Sequence, residues 1–240
     1  MGYCSRSQAS ALIRAGRVTQ NGRTVRDPES PVRLPQDRIA VDGSPLNQAP
    51  AIYLVMNKPR GVLTTASDEK GRETVYDLIE PHLPWAGPVG RLDKASEGLL
   101  LLTNDSEWAA KITDPASHLD KKYHVQVNRV ADADLLARIV QGCSSDGKPI
   151  DGNPGEDLRA RQARILRHGD KNSWLEITLD EGKNRQIRRL LETLDVQVLR
   201  LVRVSVGPLE LGDLKKGAVR RLTAEEKKAI DQALRPEQTA

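Results

Sequence analysis

The chain has 240 residues, with 37 Lys and Arg against 33 Asp and Glu, a net charge of +4 and a pI near 9.1; this is length enough for a sizeable core, with a bias toward polyanionic partners. Four Tyr, three Trp and no Phe argue against a multi-aromatic base-stacking platform and leave the core to aliphatic side chains. Cys4, Cys143 and four histidines without ligand spacing exclude a disulfide scaffold and indicate no metal; glycine motifs that cradle phosphates are absent, so no cofactor is expected, and no apolar run nears the ~18 residues of a membrane span.

With no signal-peptide core, the protein is expected to be cytoplasmic, with reduced thiols. Its basic groups are concentrated in two places. Residues 1–46 carry Arg6, Arg14, Arg17, Arg23, Arg26, Arg33 and Arg38 against four acids, and residues 183–203 carry six cations against two acids.

In chain order, Ser5 with Gln8 forms a capping box for a first helix, with Ala9, Leu12 and Ile13 on one face and Gly16 as its stop. Asn21-Gly22 makes a two-residue hairpin turn, and the segment DRIAVDGSPL adds a strand and turn. Residues 47–51 read as a linker. From Ile52 onward the segments IYLVMN, GLLLLT, KKYHVQV, SWLEITL and QVLRLVRVSV read as strands. Helices are expected at 105–113 with Asn104 as cap, at 132–141, at 184–194 and at 223–234, and residues 235–240 form a polar tail. This order lacks a βαβ rhythm and implies an α+β fold with a mixed, largely antiparallel sheet and flanking helices.

The stretch VGRLDKASEGLLLLTND sets a charged cluster against four leucines. Asp93 is either a turn or strand-cap aspartate or a carboxylate nucleophile held at a cleft, the latter a chemistry used at anomeric carbons, for which Glu97 is the near candidate for a paired acid. In EGKNRQIRRLLETLD, Ile187, Leu190, Leu191 and Leu194 form a buried stripe. At ~100° per residue Arg188 borders that stripe while Arg185 and Arg189 point away, so Arg188 is placed to reach a carboxylate. Tyr123 shares a strand face with Val125 and Val127, and Lys121 and Lys122 read as solvent-facing.

Together these segments resemble a known family. GRLDKASEGLLLLTND is similar to the GRLD signature of bacterial ribosomal RNA pseudouridine synthases, YLVMNKPRGVLTT to their NKP-x-G segment, KKYHVQV to their K-x-Y-x-V strand and EGKNRQIRRLLETL to their QIRR helix. Residues 1–46 resemble the alpha-L RNA-binding domain that precedes the catalytic domain in many members, but without its first helix, so this domain is expected to be truncated. The resemblance implies a pseudouridine synthase fold over residues 52–234, and isomerisation of a uridine in ribosomal RNA or in a ribosome-assembly intermediate, by a monomer. It implies Asp93 as the catalytic aspartate, Arg188 as its basic partner, Tyr123 packing on the target base, Leu201 as an apolar wall and Arg91 filling the gap left by a flipped nucleotide. Arg6, Arg14, Arg17, Lys183 and Arg185 would bind RNA, with no metal. The loop GCSSDGKPIDGNPGED is expected to read RNA context. A non-catalytic RNA-binding or assembly factor would not need Asp93, a glycoside hydrolase would need a second acid, and an aspartyl-phosphate enzyme would need a metal cluster.

Overall fold

The computed structural model describes residues 3–47, 49–66, 68–144 and 157–235. The expected context-reading loop and polar tail lie almost wholly outside these residues.

The N-terminal part holds α1 (Arg6–Arg14) and the strands β1 (Val18–Gln20), β2 (Arg23–Val25), β3 (Ile39–Val41) and β4 (Ser44–Pro45), in the sheet order β2-β1-β3-β4. The Ser5–Gln8 capping box closes α1 as the sequence implied. Asn21 and Gly22 both take positive φ, as do Asp42 and Gly43, the backbone geometry that two-residue hairpins of this twist require. Ala9, Leu12 and Ile13 are only half-buried.

The larger part begins with β5 (Tyr53–Lys58), then β6 (Gly87–Val89), β7 (Glu97–Thr103), α2 (Ser106–Thr113), β8 (Lys121–Val127) and α3 (Ala133–Gln141). It continues through β9 (Cys143–Ser144), β10 (Asp157–Leu158), β11 (Gln162–His168), β12 (Ser173–Leu179), α4 (Gln186–Thr193), β13 (Val198–Val206), β14 (Leu209–Glu210), β15 (Val219–Arg221) and α5 (Ala224–Ala233). A nine-stranded sheet runs β11-β12-β8-β13-β7-β5-β15, with β14 on β13 and β6 on β7. Every pairing in it is antiparallel except β13 with β7, so the expected mixed, mostly antiparallel α+β fold is the one found.

Two helix starts differ from expectation. Asp105, not Asn104, caps α2 by accepting from the Trp108 N–H, because the Asn104 side chain is taken up by the Ile52 N–H and the Pro50 carbonyl. The helix expected from 184 starts at Gln186, and Arg185 sits before it at φ +48 in the left-handed region.

The aliphatic strands bury two clusters. One lies under α3 and α4 around Val125, Leu175, Ile177, Leu190 and Leu191; the other lies under α2 and α5 around Val55, Leu99, Leu101, Trp108 and Ile230. Between them β13 and β7 pair only at Val202–Glu97 and Arg203–Gly98. This short seam depends on Gly98, whose φ is +102 and where an added Cβ would come within 2.2 Å of the Arg203 carbonyl oxygen. Backbone cannot yield as a side chain would. Gly98→Ala should therefore destabilise the fold by about 3 kcal/mol or more, read as a lower urea midpoint; a wild-type midpoint would show that the seam is not tight.

Candidate active site

The residues before β7 form a loop whose carbonyls are held one by one. Thr64 Oγ1 donates to Leu92 O at 2.8 Å, the Ser96 N–H donates to Asp93 O at 2.9 Å, and the Gly61 N–H donates to Lys94 O at 2.8 Å. Arg188 Nη2 donates to Ala95 O at 3.0 Å. Beneath the loop Lys58 is 0% exposed, and its Nζ donates to Pro59 O at 3.1 Å, Asp93 O at 3.2 Å and Ser96 O at 3.0 Å. Three N–H bonds of one ammonium thus meet three carbonyls, which offsets much of the cost of burying the charge. Burial still pushes the Lys58 pKa down to about 8, opposed by Asp93 and Glu97.

With its backbone held, Asp93 turns its carboxylate toward a cleft of about 550 Å³, a size suited to a small ligand or one nucleotide. Among the described residues nothing hydrogen-bonds this carboxylate, and its nearest cation is Arg185, with Nε 3.9 Å from Oδ2. The side chain is 39% exposed. A carboxylate that is neither capped nor forked by arginine keeps its lone pairs for a ligand. The cleft is also lined by Arg91, Lys121, Tyr123, Lys183, Arg185, Leu201 and Arg203. Tyr123 is almost buried, and its hydroxyl has no hydrogen-bond partner among the described residues.

Six of the ten site residues anticipated from the sequence therefore line one cleft: Asp93, Tyr123, Leu201, Arg91, Lys183 and Arg185. Arg188 stands next to it, but the expected Asp93–Arg188 ion pair is not made. Its guanidinium is spent on Ala95 O, its Nε is buried without a partner, and burial depresses its pKa, with Asp93 opposing. The helical projection misplaced Arg185 because that residue lies outside α4, and its left-handed backbone swings the side chain over Asp93. Lys183 is partly committed, donating to Asp157 O at 2.6 Å and pairing with Glu181 at 2.8 Å. Arg6, Arg14 and Arg17 do not line the cleft. Arg17 is forked onto Asp42, which leaves it less charge to offer RNA.

The sequence model for RNA pseudouridylate synthases matches residues 52–193. The chain belongs to that family. An S4 domain model matches residues 1–47. Ribosomal large subunit pseudouridine synthase B of Bacillus subtilis (strain 168) is 35% identical over 232 residues, covering 95% of this chain and 91% of that protein. An RNA pseudouridine synthase of Aquifex aeolicus (strain VF5), named as uncharacterized, is 38% identical over 222 residues, covering 92% and 86%. A crystal structure of a pseudouridylate synthase superposes with a TM-score of 0.65 at 28% identity over 94% of both chains.

Two parts of this pseudouridine synthase differ from what the sequence implies. Lys58 of NKPRG is fully buried, whereas a lysine ending a strand reads as a surface group until its depth is known. Glu97, the candidate second acid, is instead the centre of an ionic cluster, accepting from Arg200 Nε at 2.8 Å and Nη2 at 3.1 Å and from Lys216 Nζ at 2.5 Å. The Arg200 bonds, followed by those of Lys216, outweigh burial and hold its pKa down at about 2. A carboxylate so held cannot act as a general acid near neutrality, which removes the feature that favoured a glycoside hydrolase.

The lowered Glu97 value carries a sign. Its stabilisation is complete above the unfolded pKa of 4.5 and is lost as pH falls toward about 2. The stability difference between wild type and Glu97→Gln should be flat above pH ~5 and shrink by roughly 2–3 kcal/mol toward pH ~2, measured by urea unfolding across pH. A difference independent of pH would place the ionic cluster outside the stability of the fold.

Proposed function

We propose that this enzyme converts a uridine of ribosomal RNA to pseudouridine, with Asp93 as the catalytic aspartate. The observation that carries the reading is the Asp93 carboxylate, without a hydrogen bond among the described residues and fixed through its backbone at a cleft that Tyr123 and Leu201 also line. The family membership supports the reaction, and the large-subunit relative from Bacillus subtilis supports ribosomal RNA as the substrate class.

The residues take the following roles. A uridine in folded RNA hides its glycosidic bond, so it must leave the stack at a cost of about a few kcal/mol, and the exposed Arg91 at the cleft mouth fills the vacancy. The base packs on the Tyr123 ring opposite Leu201. Asp93 then acts at ribose C1′ while the base detaches through N1, turns and rejoins through C5. Arg188 is a positioning residue that holds Ala95 and adds positive potential near Asp93. Arg185, Lys183 and the arginines of the first 46 residues contact phosphates, so affinity falls as salt rises. The reaction is an isomerisation and needs no redox equivalent or nucleotide. We infer that the protein acts as a monomer in the cytoplasm.

The test follows tritium released from uridine C5 of unmodified rRNA transcripts. Wild type should release it, and Asp93→Asn should lower the rate by about 10³-fold or more with RNA affinity retained. Arg188→Ala should cost about 10-fold or more in the same assay and Arg189→Ala less than about threefold, because the Arg188 guanidinium donates to Ala95 O of the Asp93 loop. Equal release by wild type and Asp93→Asn would remove Asp93 from its role.

A further inference from the structure

The cleft holds two cations that these roles leave unused. Lys121 opens β8, Arg203 lies in β13, and both line the cleft. Lys121 and Tyr123 are two residues apart on one strand, so they share a face about 6–7 Å apart. Across the ladder Tyr123 stands opposite Arg203. Ring, ammonium and guanidinium therefore make one continuous piece of wall.

Neither cation has a carboxylate at ion-pair distance among the described residues. The Lys121 ammonium donates to Leu119 O at 2.9 Å, and Arg203 Nε donates to Leu99 O at 2.7 Å. Arg203 is 6% exposed. Around Lys121 the charges are Arg203, which opposes its protonation, and Asp120 and Asp180, which favour it; burial is the largest influence and lowers its pKa. The cleft wall adds Asp93, Asp114 and Glu181 as more distant anions and Arg91, Lys183 and Arg185 as cations. Two partly dehydrated like charges side by side are unfavourable in the empty site and gain most when an anion meets them.

We propose that Lys121 and Arg203 stabilise the negative charge that develops on the departing uracil, an inference that rests on the pseudouridine-forming reading above. The C1′–N1 bond breaks with its electron pair passing to the base, whose charge spreads over N1 and the two carbonyl oxygens, while Asp93 compensates the electron-poor sugar. C5 of the turned base next supplies the pair for the C1′–C5 bond, the C5 proton leaves, and N1 takes up a proton. The sum is an isomerisation with no further reactant. A base lying on the Tyr123 ring brings its polar rim within reach of both cations. Fixed cations in a water-poor site act most strongly on charge that appears only along the reaction path. Backbone phosphates are served elsewhere in this reading, by the exposed Arg185 rather than by the buried Arg203 and the half-buried Lys121.

The experiment compares the full chain with Lys121→Met, Lys121→Gln and Lys121→Arg in single-turnover tritium release from small- and large-subunit rRNA transcripts. RNA affinity is measured over a salt series, with thermal unfolding as the folding control. Lys121→Met should lower the rate about 100-fold while Kd and its salt slope stay within error, and Lys121→Arg should recover most of the rate. If the Met variant does not fold, Lys121→Gln carries the same expectation. A rate within about threefold of wild type overturns the inference, and so does a loss confined to Kd with the salt slope reduced by about one, the mark of a phosphate contact. An Arg variant as slow as Met also overturns it, since charge would not be what matters. Absence of release by the wild type would overturn the uridine-isomerase reading and this inference with it, whereas an active wild type with an indifferent Lys121 sinks the inference alone.

Discussion

The buried ammonium of Lys58 is the interaction on which the site depends. It sits at the end of β5 with no exposed surface and ties together Pro59, Asp93 and Ser96 through their carbonyls. A charge placed there without acceptors would be unfavourable by several kcal/mol, so the ammonium and the loop stabilise each other or fail together. The Thr64 hydroxyl, the Gly61 amide and the Arg188 guanidinium complete the same task from other directions. The result is an aspartate whose backbone is held from several sides and whose carboxylate makes no hydrogen bond among the described residues, the arrangement the proposed reacting group needs.

The cleft lies beside a thin seam in the sheet. β7 and β13 meet over two residue pairs, Val202–Glu97 and Arg203–Gly98, and both strands contribute to each of the two apolar clusters. Ionic groups then separate by task. Glu97 is saturated by Arg200 and Lys216 and serves structure, while Asp93 has only Arg185 at 3.9 Å among the described residues, which suits the chemical role proposed for it. The contrast is one of partners rather than residue type, since both are carboxylates near the same strand.

The five longer strands β5, β7, β8, β12 and β13, the capping box of α1 and both hairpins were legible in the sequence because their signals are local: apolar runs or alternation, an S-x-x-Q box, Asn-Gly and Asp-Gly turns. Asp93, Tyr123 and Leu201 were found through the wording of their segments, and the structure brings them into one cleft. What stayed hidden depends on depth or on a single dihedral angle. Arg185 was assigned to the helix wheel because nothing in KNRQIRR announces a left-handed residue before Gln186. Lys121 read as solvent-facing and neither Lys58 nor Arg203 stood out, and only the packing of β5, β8 and β13 shows Lys58 and Arg203 buried and Lys121 and Arg203 lining the cleft. The edge strand β11, with five of its seven residues exposed, keeps its apolar alternation only through Ala163 and Ile165 before Leu166 breaks it, too short a signal to mark a half-buried strand.

The most direct measurement is amide hydrogen exchange at Ser96, whose N–H is bonded to Asp93 O, made on Lys58→Met beside the wild type and paired with the single-turnover rate of each. The account predicts that the variant remains folded with unchanged RNA affinity, loses protection at Ser96 by about 10-fold or more, and slows by a comparable factor or more. Wild-type protection and wild-type turnover in a folded Lys58→Met protein would contradict it, because the carboxylate would then be held in place by something other than the buried ammonium.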